Sequence, residues 1–143
     1  MEYITHTEEE TIGLGLKIGS LLQAGSVIAL LGGLAAGKTT LTKGIAQSLG
    51  IQEPVTSPTY TIISEYGGTV TLYHMDCYRL EGEEDALAIG IDELLYGNGI
   101  CVIEWSERIS NLLPPHTIFI ELAVLAEGSR RIRITGKDFE ARL

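Results

Sequence analysis

Three patterns of apolar and polar positions run along this chain, and each predicts a different element. From Val27 to Leu31 every residue is apolar, which suits a strand buried on both faces. Beyond the glycine-rich stretch that follows, Leu41, Ile45 and Leu49 recur every fourth residue and predict a helix ending at Leu49-Gly50. Ile100-Cys101-Val102-Ile103 is a second unbroken apolar run and predicts a buried parallel strand. Near the start, Thr7-Glu8-Glu9-Glu10 has the form of a capping box, Thr at the cap and Glu three residues on. It predicts a helix that turns Ile12 and Leu16 inward with Leu14, Ile18 and Leu21, and ends near Ala24-Gly25. Gly13, Gly15 and Gly19 weaken such a helix, and close packing accounts for them.

The middle and end of the chain read as hairpins and short helices. Residues Ile51 to Pro58 form a loop into a strand at Tyr60-Thr61-Ile62-Ile63. Gly67-Gly68 turns that strand into a partner over Thr69 to Asp76. Leu80 to Tyr96 is acidic and broken by Gly82 and Gly90, which predicts two short helices. Thr117 to Val124 and Arg131 to Thr135 form two closing strands around Glu127-Gly128-Ser129. Together these elements predict an α/β domain of three layers, with a mixed parallel and antiparallel central sheet. The antiparallel part belongs to the middle and end of the sequence.

Composition narrows the class. At 143 residues the chain reads as one domain, 1–143, with room for a single core. No run reaches the roughly 18 apolar residues of a spanning helix, and the acidic start is unlike a secretory signal, so a cytoplasmic protein without membrane association is expected. Cys77 and Cys101 stand in apolar surroundings and read as reduced core residues. His6, His74 and His116 are scattered, which argues against a histidine metal site. The net charge of −9 argues against broad nucleic-acid binding, including stable direct binding to DNA, because such binding neutralises phosphates with Lys and Arg. The cluster Arg130-Arg131-Arg133 reads as a strand edge with one or two charges turned toward a ligand or partner.

The chemistry lies between the first strand and its helix. Gly32-Gly33-Leu34-Ala35-Ala36-Gly37-Lys38-Thr39 fits a phosphate loop of Walker A type, in the strand–loop–helix context that the motif requires. Loop N–H groups converge on phosphate oxygens, and the helix N-terminus adds favourable dipole energy. Lys38 offers charge to the outer phosphates, and the Thr39 hydroxyl is a ligand for Mg2+. A ligand-free turn would not require Lys followed by Thr at the helix entry. The fold expectation therefore sharpens to a three-layer P-loop NTPase.

Turnover needs carboxylates as well. Glu104 ends the apolar run at 100–103 and suits a magnesium partner of Thr39, directly or through water. Asp76 ends another strand, and orienting water, accepting its proton and binding magnesium-ligated water all remain open for it. Thr56-Ser57-Pro58-Thr59 reads either as a switch-like loop near the γ-phosphate or as a proline turn with capping hydroxyls. His74 either touches this loop or fills a polar corner. Trp105, the single tryptophan, reads as core, interface or part of the nucleotide pocket, core first.

Beyond these motifs the chain resembles the TsaE (YjeE) family, the ATPases of bacterial tRNA threonylcarbamoyladenosine biosynthesis. The resemblance rests on Glu10-Thr11, Gly32 to Thr40, Val55 to Tyr60, His74 to Arg79, and Ile103-Glu104-Trp105-Ser106-Glu107-Arg108, and covers nearly the whole chain. It implies a magnesium-dependent ATPase subunit that supports N6-threonylcarbamoylation of adenosine 37 in tRNAs reading codons that start with A. It implies two partners, a TsaD-like transferase and its TsaB-like paralogue, with tRNA engaged mainly through the complex. On this resemblance Lys38, Asp76 and Glu104 are the catalytic residues, and Thr39 and Glu104 hold Mg2+. ATP or ADP is held by Gly33, Leu34, Ala35, Ala36, Gly37, Lys38, Thr39 and Thr40, with Ser57 and Thr59 in the switch-like loop. Thr7, Glu8 and Thr11 border the adenine, Trp105 lies near the nucleotide, and Arg131 (or its neighbour Arg130) closes the pocket.

Two positions depart from the family loop: Gly33 stands where an acidic residue is common, and Ala35 where a glycine is common. A positive φ at Ala35 would store strain of about 1 kcal/mol, yet nucleotide binding is expected to survive because the fixed loop positions are kept. Two other functions share the loop: a small-molecule or nucleoside kinase using Asp76 as base, and a nucleotide-dependent scaffold with little turnover. A GTPase is weaker, since no Asn-Lys-x-Asp stretch is present to read guanine.

Overall fold

The computed structural model describes residues 1–33, 35–58 and 62–143. Seven strands form one sheet in the order β1-β7-β6-β2-β5-β4-β3. They are β1 (Glu2–Thr5), β2 (Val27–Leu31), β3 (Ile63–Tyr66), β4 (Leu72–Asp76), β5 (Ile100–Glu104), β6 (Ile118–Val124) and β7 (Arg130–Thr135). The central four, β6, β2, β5 and β4, run parallel. Antiparallel pairs close both sides: β3 on β4, and β7 then β1 beyond β6. The mixed sheet is thus as expected, but β1 is an additional edge strand. Its cover makes β7 the second strand in from that side, so the arginine cluster does not lie on an edge.

Alternation along each strand separates two cores. Ile28, Leu30, Ile100, Val102, Ile132 and Ile134 pack with α1 (Glu8–Leu21) and α2 (Lys38–Ser48). On the opposite face Val27, Met75, Cys101 and Ile103 pack with α3 (Glu83–Ala88), α4 (Ile91–Leu95) and the kinked 3-10 segment Ser106–Leu112. A short α5 (Lys137–Glu140) follows β7. Both cysteines are buried and unpaired by disulfide, and burial pushes each thiol up to about 12, with Asp76 and Glu107 adding to the effect at Cys77. Among the described residues no helix is long and apolar enough to cross a membrane.

The Thr7 side chain caps α1 by accepting from the Glu10 N–H at 3.1 Å, and Glu10 accepts in return from the His6 N–H at 3.2 Å. The buried face of α1 differs from the expected one. It is Thr11, Leu14, Gly15, Ile18 and Gly19, while Leu16 is exposed and the helix ends at Leu21. Backbone contact decides the face. A Cβ on Gly15 would come to 2.9 Å from Gly44 Cα on α2, and one on Gly44 to 2.8 Å from Gly15 Cα. Glycine on both helices lets the backbones meet, and larger side chains are left to turn outward.

Gly44→Ala is therefore expected to destabilise the fold by about 1–3 kcal/mol in urea unfolding. Gly13→Ala, on the open side of the same α1 helix, should instead stabilise by up to about 1 kcal/mol. Equal effects at the two positions would refute backbone contact as the determinant.

Candidate nucleotide site

The parallel register brings the site together. Leu30 pairs with Glu104, and Glu104 with Asp76, so three strand ends stand side by side. Both carboxylates alternate onto the α2 face, in phase with Leu72 and Val102. The loop after β2 then turns over these strand ends into α2. Gly37 caps that helix with φ +102°, a left-handed conformation that suits glycine, and no side chain caps the first turn. The N–H groups at the start of α2 thus have no capping side chain to compete with an anion.

A cavity of about 650 Å³ lies at this end of the sheet. Ala35, Ala36, Gly37, Lys38, Thr39 and Thr40 line it from the loop and helix. Ser57, Asp76, Glu104, Trp105, Tyr78 and Arg130 line it from the other sides. A second cavity of about 240 Å³ adjoins it through shared Gly37, Thr40 and Arg130, and is lined by Thr5, His6, Thr7, Glu8 and Thr11. The capped start of α1 is held there by a 2.7 Å hydrogen bond between the Thr5 and Thr11 hydroxyls. Residues 35–40 of the phosphate end and Thr7, Glu8 and Thr11 of the α1 end thus converge on one connected groove.

Its electrostatic centre is Glu104, which is 5% exposed. Oε1 lies 3.4 Å from Lys38 Nζ, and Oε2 lies 2.9 Å from His74 Nε2. Burial opposes ionisation of this carboxyl, but the His74 hydrogen bond and charge, joined by the charge of Lys38, outweigh burial and hold it below its usual value. Asp76 is also buried, and its Oδ1 accepts from the Tyr78 N–H at 2.9 Å.

Several expectations change. Arg130 lines the groove and donates to the carbonyls of Ala35 (3.3 Å) and Gly128 (2.5 Å). Arg131 stands on the opposite face of β7, because Arg130 shares the parity of buried Ile132 and Ile134. The period-two pattern separates the two arginines, and the packing of β7 decides which of their faces meets the groove. Gly33 is exposed and lines neither cavity. Trp105 is no core residue: its φ of +57° turns the chain out after β5, leaving the side chain 40% exposed against Tyr78 at a centroid distance of 4.9 Å. Arg108 lies over the other aromatic partner, 5.7 Å from the Tyr78 ring centre. Tyr78 lines the groove without a motif that marks it, since only the fold brings it beside Trp105. Leu34 and Thr59, with the expected strand residues Tyr60 and Thr61, lie outside the described residues. Ala35 has φ +60°, so the side chain there does carry the left-handed strain.

Comparison with known proteins identifies a family and a shared fold. A family model described as "Threonylcarbamoyl adenosine biosynthesis protein TsaE" matches residues 5–132. The chain is 50% identical over 134 residues to the tRNA threonylcarbamoyladenosine biosynthesis protein TsaE of Treponema pallidum, covering 94% of this chain and 99% of that one. It is 41% identical to the TsaE protein of Bacillus subtilis, over 94% of this chain and 85% of the relative. The crystal structure of Bacillus subtilis YdiB superimposes with a TM-score of 0.85 and 35% identity, covering 99% of this chain and 89% of that one.

Ala35→Gly should raise unfolding stability by about 1 kcal/mol by relieving the left-handed strain. A destabilised variant in denaturant titration would contradict the strain. Glu104 gives a pH signature. Its folded pKa lies below the ordinary 4.5, so its ionisation stabilises the fold above that value, and the contribution is lost as pH falls through the lower folded value. The stability advantage of the parent over Glu104→Gln should therefore shrink below pH 4.5. An advantage that grows in acid would have the wrong sign.

Proposed function

Because the chain belongs to the TsaE family, we propose that it is the magnesium-dependent ATP-binding and ATP-hydrolysing subunit of tRNA threonylcarbamoyladenosine biosynthesis. In this role it supports N6-threonylcarbamoylation of adenosine 37 in tRNAs that read codons starting with A. It works in the cytoplasm with a TsaD-like transferase and a TsaB-like paralogue, and meets tRNA mainly through that complex. The observation that carries the reading is the convergence of Lys38, Thr39, Glu104 and Asp76 on one cavity at the uncapped start of α2.

The donor set fits Mg2+. Thr39 offers a hydroxyl and Glu104 an ionised carboxylate, with Asp76 on the same cavity, all hard oxygen donors. Thr39 and Glu104 would hold Mg2+ together with substrate phosphates, the usual arrangement for this ion at a nucleotide. When bound, Mg2+ supplies neutralisation of phosphate charge during displacement. The protein's own part is to bind and orient. Lys38 exchanges its ion pair with Glu104 for phosphate oxygens, and helix N–H groups donate to the anion. Thr7, Glu8 and Thr11 border the base from the smaller cavity, and Arg130 spans both. Asp76 serves the attacking water. Ser57 reports the γ-phosphate end.

The test is nucleotide binding and phosphate release by the pure protein, repeated with the two partners. ATP-selective binding and partner-enhanced release are expected. Lys38→Ala should lose binding and turnover together. Glu104→Ala and Asp76→Ala should keep nucleotide binding while release falls about 100-fold or more. Phosphate transferred to a metabolite would replace this reading with a kinase, and tight binding without release would replace it with a scaffold.

A further inference from the structure

His74 stands fully buried in the middle of β4, on the same face as Asp76, and its ring meets Glu104 rather than solvent. Glu104 is ionised and can only accept, so Nε2 must carry the proton of the 2.9 Å bond to Oε2. Nδ1 is buried and has no hydrogen-bond partner among the described residues. A buried polar atom without a partner is costly, and an apolar side chain of similar bulk would fill the space without that cost. The bond to Glu104 is therefore what the imidazole contributes here.

We propose that His74 is a positioning residue for Glu104, holding Oε2 so that Oε1 alone faces Lys38 and the phosphate loop. The proposal rests on the magnesium–nucleotide reading of the groove. A glutamate side chain has three rotatable bonds, and Lys38 Nζ already lies 3.4 Å from Oε1. Without the imidazole, Glu104 is free to turn both oxygens onto Lys38. The lysine would then compete more strongly with Mg2+ for the carboxylate. With the imidazole in place, one oxygen is tied back into the sheet and the other keeps a single direction. His74 touches neither nucleotide nor metal in this scheme and acts only through Glu104.

The tests compare His74→Leu, which removes the donor, with His74→Gln, whose side-chain amide reaches about as far as Nε2. In the ligand-free parent, NMR of the imidazole nitrogens should report a proton on Nε2, and Glu104→Gln should shift those signals. Fluorescence of the single tryptophan, Trp105, beside Glu104 in the groove, follows Mg2+ titration of the ADP-loaded protein. His74→Leu is expected to raise the half-saturating Mg2+ concentration about 10-fold or more, as loss of a metal's outer partner does. Its kcat should fall with it, while ADP affinity without Mg2+ and KM for ATP stay within about threefold of the parent, a loss in the transition state rather than in ground-state binding. His74→Gln should recover most of both losses. An Nδ1–H tautomer, or equal behaviour of the Leu and Gln variants, would overturn the proposal while the parent still binds nucleotide. If the parent responds to neither ADP nor Mg2+, the functional reading falls and takes the role of His74 with it.

Discussion

In a sheet, a slip of one residue sends every side chain of a strand to the opposite face. The site depends on the register that sets Leu30 beside Glu104 and Glu104 beside Asp76. In that register both carboxylates emerge on the α2 side, where the phosphate loop returns across the strand ends. One residue of slip in β5 would point Glu104 at α3 and α4 and put buried Ile103 against the loop. The register is held by the cores themselves, since Ile100 and Val102 belong to one apolar layer and Cys101 and Ile103 to the other. Burial on both faces is thus what aims the charged residue.

A buried carboxylate must then be compensated. Glu104 is, by Lys38 on one oxygen and His74 on the other. Breaking either partnership leaves charge in a poorly solvated place, which costs far more than losing an exposed ion pair. The contrast is visible within the same chain. Arg133 bridges Glu2 and Glu121 across the outer sheet face with all three side chains about half exposed, and screening by solvent makes that ladder worth little. The two arrangements differ in burial, and burial separates the chemical centre from the decorated surface.

The second constraint is the glycine contact between α1 and α2. It brings the start of α1, with Thr7, Glu8 and Thr11, beside Gly37 and Thr40 at the start of α2. Packing deep in the core therefore sets the width of the groove at its smaller end. The extra strand β1 works in the same direction, because Thr5 at its end ties to Thr11. Two features far apart in purpose, a helix interface and an edge strand, fix one wall of the cavity.

The local pattern of the chain carried the strand, loop and helix around Lys38, the buried strand ending at Glu104, the two short helices and a hairpin onto β4, although the first hairpin strand is Ile63–Tyr66 rather than 60–63, with Ile62 at φ +66° outside it. These follow from continuous burial, periodicity and turn chemistry, all of which act between near neighbours. It also carried the family, through blocks of residues whose order and spacing are specific. What it left open were relations across the chain. The buried face of α1 was set by Gly44 on another helix, the added edge by pairing of β1 with β7 more than a hundred residues away, and the outward turn of Trp105 by a left-handed residue after β5. Arg130 rather than Arg131 reaches the groove because alternation in β7 is anchored by core neighbours on β6. The bond between His74 and Glu104 has the same origin. Sequence determined which residues could do chemistry, because residue type sets charge and donor. Tertiary structure decided which of them meet, because only the packed sheet sets their directions.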